Sequence, residues 1–84
     1  MFYTYVLQSK KDGMLYIGYS ENLKKRIVEH NKSEVEATKH RRPLKLIYYE
    51  ACLDKNLALL REKFFKSGFG RRFLKNRLSL KDNK

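Results

Sequence analysis

The chain has 84 residues, and its 20 lysines and arginines against 9 aspartates and glutamates give a formal net charge of +11 at pH 7. A chain this short predicts one domain with an economical core, because small domains bury only about 60% of their unfolded surface. The charge points to a polyanionic partner, and nucleic acid is favoured over an anionic membrane surface. No apolar run approaches the roughly 20 residues that span a bilayer, and no export signal is evident, so we expect a cytoplasmic protein without a membrane association.

The first part of the chain predicts a β-hairpin followed by a helix. Residues 2–8 and 14–19 alternate in the manner of strands and are rich in aromatic and β-branched residues. The turn between them contains Asp12-Gly13, which is typical of a hairpin. Ser20 is the predicted N-cap of the helix, which runs to about residue 31–33 with Glu21 in its first turn.

A basic loop and a third strand follow. Residues 34–43 show no sustained period and end at Pro43, which lacks a backbone donor and disfavours helix in its neighbour. Residues 44–51 are rich in Leu, Ile and Tyr and predict the third strand.

Two helices complete the predicted fold. Asp54 is the expected cap of a helix that ends near residue 66. Its apolar seam is predicted to be Leu53, Leu57, Leu60 and Phe64, with Ala58 and Phe65 beside it. Residues 67–70 read as a break, and residues 71–80 as the last helix.

The order β-β-α-β-α-α predicts an α+β domain, in which one small, mainly antiparallel sheet is covered by helices. We expect this domain to span residues 1–80, with residues 81–84 as a polar tail. Such a sheet can leave a groove lined by the first two strands and the first helix.

Arg26 and His30 are four residues apart and lie one above the other on the first predicted helix. An arginine fork at this position could hold a phosphate through two hydrogen bonds. The alternative is a solvated basic helix surface, which the spacing alone slightly favours.

Glu62 stands at the border of the apolar seam of the second predicted helix, where a carboxylate is partly desolvated and needs a partner. One interpretation is a structural ion pair with Arg61 or Lys66. The other is a ligand to a divalent cation that water and substrate oxygens otherwise hold, as magnesium often sits in phosphate chemistry. The spacing leaves both interpretations open.

All six tyrosines fall in predicted strands, where aromatic side chains are favoured for packing, so most of them belong to the core. A phenol is a poor base unless a nearby cation stabilises its anion. Arg26 or a metal ion beside one tyrosine would make that role plausible.

Basic side chains cluster in the loop and on the last helix, and they predict a nucleic-acid-binding surface. Such clusters attract any polyanion and carry no sequence preference. Asn76 stands among them, either as an ordinary surface amide or as a hydrogen-bonding partner of a phosphate or of the site. The predicted binding residues are Lys39, Arg41, Arg42, Arg71, Arg72, Lys75, Asn76 and Arg77.

These residues together resemble the GIY-YIG endonuclease domain, and the resemblance covers essentially the whole chain. Tyr3-Thr4-Tyr5 stands where that family has its first triplet, and Tyr16-Ile17-Gly18 matches the second. The chain is similar in particular to short stand-alone bacterial members, which are related to the nuclease domain of excinuclease. Further matches are Arg26 to the helix arginine, His30 to the Tyr-or-His position after it, Glu62 to the metal-binding glutamate and Asn76 to the C-terminal asparagine.

The resemblance implies a three-stranded antiparallel sheet flanked by helices and a metal-dependent hydrolysis of phosphodiester bonds in DNA, in repair or recombination. It implies that Glu62 holds one Mg²⁺ or Mn²⁺ ion and that Arg26 stabilises charge on the scissile phosphate. Tyr5 or Tyr16 would help to activate water, and His30 would orient or exchange protons. The side chains of Tyr5, Tyr16, Arg26 and Glu62 should then converge on one open cleft, without a small-molecule cofactor.

Two positions depart from the family pattern. Tyr3 replaces the glycine of the first triplet, and Tyr19 follows Gly18 where some members carry a lysine. Larger relatives attach separate DNA-binding domains, which we do not expect here. The alternative functions are therefore a non-catalytic module for DNA or structured RNA on the same scaffold, and a protein-interaction or ribosome-associated domain.

Overall fold

A computed structural model of the chain describes residues 1–80, so the predicted polar tail at residues 81–84 lies outside the described residues. Three strands form one antiparallel sheet in the order β2-β1-β3. Three helices flank this sheet, and both the predicted α+β class and the predicted element order are confirmed. The elements are β1 (Phe2–Ser9), β2 (Leu15–Ser20), α1 (Leu23–Asn31), β3 (Leu44–Cys52), α2 (Lys55–Phe65) and α3 (Gly68–Leu78).

The hairpin turn is held by short-range hydrogen bonds and one glycine. Ser9 Oγ accepts hydrogen bonds from the backbone N–H groups of Lys11 and Asp12 at 3.1 and 3.2 Å. Gly13 has φ 73°, a left-handed conformation that glycine adopts without steric cost. This turn sets the register that pairs Tyr5 on β1 with Gly18 on β2.

The cap of α1 differs from the prediction. Asn22 is the N-cap, and its Oδ1 accepts a hydrogen bond from Lys25 N at 3.1 Å. Ser20 Oγ accepts from Asn22 N at 3.0 Å, so it lies just before the helix instead of capping it. Asparagine caps as well as serine does, and the helix therefore starts after Glu21 rather than around it. The predicted cap of α2 is confirmed, since Asp54 Oδ1 accepts from Leu57 N at 3.1 Å.

The last helix begins three residues earlier than predicted. Ser67 caps it, with Oγ accepting from Gly70 N at 3.2 Å, so Gly68 and Gly70 are helical instead of forming a break. A Cβ at Gly70 would overlap the backbone carbonyl of Phe64. Glycine is thus needed here for the close packing of α3 on the end of α2.

The sheet is covered on both faces, as the strand alternation requires. One face carries Val6 and Ile17, which pack with Phe65 of α2 and Leu74 of α3. We call this the helical-pair face. The other face carries Tyr5, Leu7 and Leu44, which pack with Leu23 and Ile27 of α1, and we call it the α1 face.

The predicted apolar seam of α2 is wrong for its three leucines, since Leu53, Leu57 and Leu60 are 86%, 56% and 62% exposed. Phe64 packs against the core as predicted, and Ala58 and Phe65, predicted beside the seam, are the buried residues of this helix. Thr4 Oγ1 donates a hydrogen bond to the carbonyl oxygen of Ala58 at 2.8 Å. This contact brings the helix so close to the sheet that a small side chain must face inward. No helix within residues 1–80 has the length and apolar character that crossing a bilayer demands.

Candidate active site

The site is built where Tyr5 crosses the edge strand β2. Tyr5 lies on the middle strand directly opposite Gly18, and it is fully buried. A Cβ at Gly18 would overlap Cζ and the hydroxyl oxygen of Tyr5. The glycine therefore leaves the space in which the phenol lies against β2, and this close approach explains why the second triplet ends in glycine.

His30 lies beneath the Tyr5 hydroxyl on the α1 face. Its ring is fully buried, with Nε2 2.8 Å from the Tyr5 oxygen and Nδ1 2.7 Å from Thr38 Oγ1. Tyr16 packs edge-on against the same imidazole, with ring centroids 5.0 Å apart. Two tyrosines from neighbouring strands thus surround one histidine from α1.

Arg26 stands one turn before His30 and reaches the same hydroxyl. The guanidinium interacts with Tyr5 and forms an ion pair with Glu29 at 3.2 Å. Its side chain is 37% exposed. A guanidinium carries five N–H donors, so contacts with one phenol and one carboxylate leave donors for an anionic ligand on the solvent side.

The electrostatics of this cluster fix its protonation near neutral pH. Burial raises the pKa of Tyr5 to about 12, although the hydrogen bond from Arg26 opposes the rise. Burial, with Arg26 second, lowers the pKa of His30 to about 4. The phenol is therefore protonated and the imidazole neutral at pH 7, while the Tyr5 contact raises the pKa of Arg26 and keeps it charged.

Glu62 approaches the cluster from α2. Its negative charge helps to raise the pKa of Tyr5, which means that the carboxylate lies within electrostatic range of that hydroxyl. It also pairs with Lys66 at 3.1 Å, and its side chain is 21% exposed. The charges of Arg26 and Glu62 thus both act on the Tyr5 hydroxyl, with opposite effects on its pKa.

Glu62 is the residue of this site that could hold a metal ion. Residues 1–80 contain no group of three or more His, Cys, Asp or Glu side chains arranged to hold a metal ion. A closed cage made of protein ligands therefore does not fit this part of the chain. A single carboxylate fits Mg²⁺, which usually keeps several waters and takes one or two carboxylates besides phosphate oxygens.

The predicted basic residues separate into two groups. Those of the loop make contacts within the fold: Lys39 pairs with Glu36 at 3.0 Å, and Arg41 with Asp12 at 3.4 Å. Arg42 donates to the carbonyl oxygens of Lys39 and Asn31, each at 3.2 Å.

The group on α3 is more open. Arg71, Arg72, Lys75 and Asn76 are exposed and line a surface hollow of about 450 Å³ together with Gly68 and Leu80, and Arg77 is also exposed. Asn76 therefore lies in a basic hollow on α3, and the Tyr5 cluster is built without it.

The two positions that depart from the family pattern pack in the sheet. The ring of Tyr3 lies 6.1 Å from that of Tyr49, which covers the end of the α1 face. Tyr19 donates a hydrogen bond to Glu21 Oε2 at 3.2 Å. Thr38 is the residue of this region that the sequence analysis missed, because it lies in a loop without periodicity and eight residues beyond His30.

Comparisons with known proteins identify the family of the chain. The model of the GIY-YIG catalytic domain matches residues 1–76, and the chain belongs to the GIY-YIG family of nuclease domains. The resemblance predicted from the triplets is therefore confirmed. No solved structure matches the chain.

Among curated relatives, a UPF0213 protein of Staphylococcus saprophyticus is 44% identical over 61 residues, which cover 71% of this chain and 73% of that protein. A UPF0213 protein of Desulfotalea psychrophila is 43% identical over 63 residues, covering 73% of this chain and 56% of that protein. A UPF0213 protein of Streptococcus pyogenes is 42% identical over 65 residues, with 76% and 70% covered.

Proposed function

We propose that this protein is a metal-dependent endonuclease that hydrolyses phosphodiester bonds in DNA. In this reaction a water oxygen attacks phosphorus, one P–O ester bond breaks, and the products are a phosphate monoester and a free hydroxyl. Family membership supports the reaction class. The observation that carries the proposal for this chain is the meeting of Arg26, His30 and Tyr5 over Gly18, with the charge of Glu62 acting on the same phenol.

Arg26 is the proposed electrostatic stabiliser of the reacting phosphate. Its inner side contacts Tyr5 while its outer side faces solvent. A guanidinium held in this way presents paired donors to phosphate oxygens without reorganising as negative charge develops. The neutral imidazole of His30 orients the Tyr5 hydroxyl from behind.

Tyr16 is the better candidate for taking the proton of the attacking water. Tyr5 is fully buried, has a pKa of about 12 and already shares its hydroxyl with His30 and Arg26. Tyr16 is only partly buried, and its ring packs edge-on against His30. In this proposal Tyr5 positions Arg26. Tyr16 first releases its phenol proton to solvent and then takes one from the attacking water, and the leaving oxygen recovers a proton from solvent.

Glu62 is the proposed ligand of one Mg²⁺ or Mn²⁺ ion. Such an ion, when bound, would polarise the scissile phosphate and neutralise part of its charge. Lys66, which pairs with Glu62 in the structure, compensates the carboxylate and would release it on metal binding. The exposed arginines of α3 would hold the flanking phosphates and add affinity without sequence preference.

A cleavage assay tests this proposal. The protein is incubated with branched, nicked, single-stranded and duplex DNA, and with structured RNA, in the presence of Mg²⁺ or Mn²⁺. We expect cleavage of at least one DNA substrate, with losses of about a hundredfold or more in Glu62→Gln and Arg26→Ala. Binding to the same DNA should be retained in Glu62→Gln.

Glu36→Gln is the matched control for the metal ligand. Glu36 is a carboxylate with an 86% exposed side chain that pairs with Lys39 in the loop, so this change should leave cleavage unaffected. Salt-sensitive binding without cleavage in either metal would contradict the proposal and indicate a non-catalytic module. Cleavage that survives in Glu62→Gln would remove Glu62 from the metal site.

A further inference from the structure

A buried chain of hydrogen-bonding groups leads from the surface arginine of the site into the loop between α1 and β3. It starts at Arg26, passes through the Tyr5 hydroxyl and both ring nitrogens of His30, and ends at Thr38 Oγ1. Tyr5, His30 and Thr38 are each 0% exposed. Water therefore does not compete for these groups, and the hydrogen bonds within the chain decide which atoms donate and which accept.

The direction of the chain follows from its first member. A guanidinium can only donate hydrogen bonds, so Arg26 is the donor and the Tyr5 oxygen is the acceptor in their contact. The phenol proton must then point to another acceptor. Among the hydrogen bonds made by residues 1–80, that acceptor is His30 Nε2, 2.8 Å away.

This assignment decides the tautomer of His30. A neutral imidazole has one N–H donor and one acceptor nitrogen. If Nε2 accepts from Tyr5, then Nδ1 carries the proton and donates it to Thr38 Oγ1 at 2.7 Å. Each tautomer leaves one buried hydroxyl proton without an acceptor among the hydrogen bonds of residues 1–80: that of Thr38 in the Nδ1–H form and that of Tyr5 in the Nε2–H form. The Nε2–H form would also direct a second donor at the Tyr5 oxygen, in competition with Arg26. Because a phenol is the stronger donor of the two hydroxyls, the Nδ1–H form is the less costly one.

We propose that Thr38 is a positioning residue for the nuclease site, because its hydroxyl holds His30 in the Nδ1–H tautomer and thereby orients Tyr5 toward Arg26. Thr38 acts through two other residues and touches neither phosphate nor metal. The effect on catalysis rests on the proposed function, whereas the tautomer is a property of the folded protein alone.

The tautomer is tested first, and without any substrate. The chain has two histidines, His30 and His40, so ring ¹⁵N–¹H correlations from labelled protein give two spin systems, and the His40→Gln protein identifies that of His30. We expect Nδ1 protonated and Nε2 unprotonated in the wild type. Thr38→Val removes the acceptor and should shift His30 toward the Nε2–H form, while Thr38→Ser should keep the wild-type pattern.

An Nε2–H tautomer in the wild-type protein overturns the proposal, even if the enzyme is active. The same holds if Thr38→Val keeps the Nδ1–H pattern. Should Thr38→Val fail to fold, the wild-type and Thr38→Ser spectra still decide the question.

The second test uses the cleavage reaction. Thr38→Val should lower kcat roughly ten- to a hundredfold with little change in KM, because misplacing a positioned group costs rate more than binding. Thr38→Ser should restore most of the activity.

Tyr48→Phe is the control for this second test. Tyr48 packs against Phe65 on the opposite face of the sheet and donates to Glu50 Oε2 at 2.8 Å, so the change removes a hydroxyl hydrogen bond away from Tyr5, His30 and Arg26. Equal losses of kcat in Tyr48→Phe and Thr38→Val, measured where both are folded, would indicate general loosening and contradict the positioning role. Absence of cleavage in the wild type would instead refute the proposed function and leave the tautomer result standing.

Discussion

Two arginines with nearly the same exposure stand on the two faces of the sheet. The side chain of Arg26 on the α1 face is 37% exposed, and that of Arg61 on the helical-pair face is 35% exposed. Arg61 donates through Nε and one terminal nitrogen to Glu50 at 2.8 and 3.1 Å. Its guanidinium also lies 4.6 Å from the centroid of Phe65 and 5.0 Å from that of Phe73.

Arg26 is held differently. It meets one phenol and one carboxylate, and behind that phenol stands a buried polar chain instead of stacked aromatic rings. The two arginines differ in their partners and not in their exposure. Arg61 makes two hydrogen bonds to one carboxylate and stacks on aromatic rings, so its role is structural. Arg26 is held from its inner side and keeps N–H donors for a ligand.

The largest expected effect concerns the stability of the aromatic core on the helical-pair face. Phe65 is fully buried and contacts Tyr48, Phe73 and Arg61. Phe65→Ala should lower the free energy of unfolding by about 3–5 kcal/mol, since it removes a buried ring and leaves a cavity. Urea denaturation measures this loss, and Phe69→Ala, at a 76% exposed position, should cost little. A loss below about 1 kcal/mol in Phe65→Ala would contradict the assigned core.

The next prediction concerns the free energy of unfolding at acidic pH, which should depend on His30 of the α1 face. The pKa of His30 is lowered from 6.5 to about 4 in the folded protein, so the unfolded chain binds a proton at higher pH than the native chain does. The stabilisation is complete above about pH 6.5 and is lost as the pH falls through about 4. It amounts to roughly 3 kcal/mol.

Denaturation curves between pH 7 and pH 4 measure this slope. The wild-type and His40→Gln proteins should lose stability in parallel, and His30→Gln should lose much less over the same interval. Equal slopes in His30→Gln and wild type would show that His30 does not carry the effect.

A smaller effect is expected at the glycine beneath the phenol. Gly18→Ala should displace the Tyr5 ring and lower the cleavage rate by roughly a hundredfold, because the added methyl overlaps its hydroxyl end. Gly68→Ala is the matched control, since a Cβ there would meet no atom within 4 Å. Single-turnover cleavage compares the two, and a Gly18→Ala protein as active as Gly68→Ala would contradict the packing argument.

The smallest effects are expected from the basic surface. Arg71→Gln and Arg72→Gln should each weaken DNA binding a few-fold. Each should also reduce the slope of log K against log[salt] by about one, because one fewer counterion is released on binding. Arg42→Gln should weaken it less, because its donors already bind backbone carbonyls. Fluorescence anisotropy over a salt series measures all three, and a larger effect at Arg42 would move the binding surface to the loop.

Much of the fold could be predicted from the sequence. The alternation of side chains between the two faces of a strand is a local property, so it can be recognised from neighbouring residues. The sequence misled at α2, where the leucine spacing predicts an inward seam, but the contact of Thr4 with Ala58 turns the leucines outward. Two helix starts also shifted: α1 begins two residues later than predicted because Asn22 caps it in place of Ser20, and α3 begins three residues earlier because Ser67 caps it.

The candidate site could be predicted only in part. Spacing suggested that Arg26 and His30 share a helix face, but their meeting with Tyr5, 25 residues before His30, depends on the sheet register and came from the family resemblance. Thr38 carries no pattern in the sequence, and its contact with His30 depends on how the loop folds back.

The most direct test of the site is to measure cleavage rates after replacing each of these two arginines. Single-turnover cleavage of DNA in Mg²⁺ or Mn²⁺ is compared for wild type, Arg26→Lys and Arg61→Lys, each below its own melting temperature. We predict that Arg26→Lys loses about a hundredfold in rate with a nearly unchanged Tm, because lysine keeps the charge but not the fork. Arg61→Lys should lower Tm and cleave at nearly the wild-type rate. Equal cleavage by Arg26→Lys and wild type, or a selective loss of rate in Arg61→Lys, would contradict the assignment of phosphate stabilisation to Arg26.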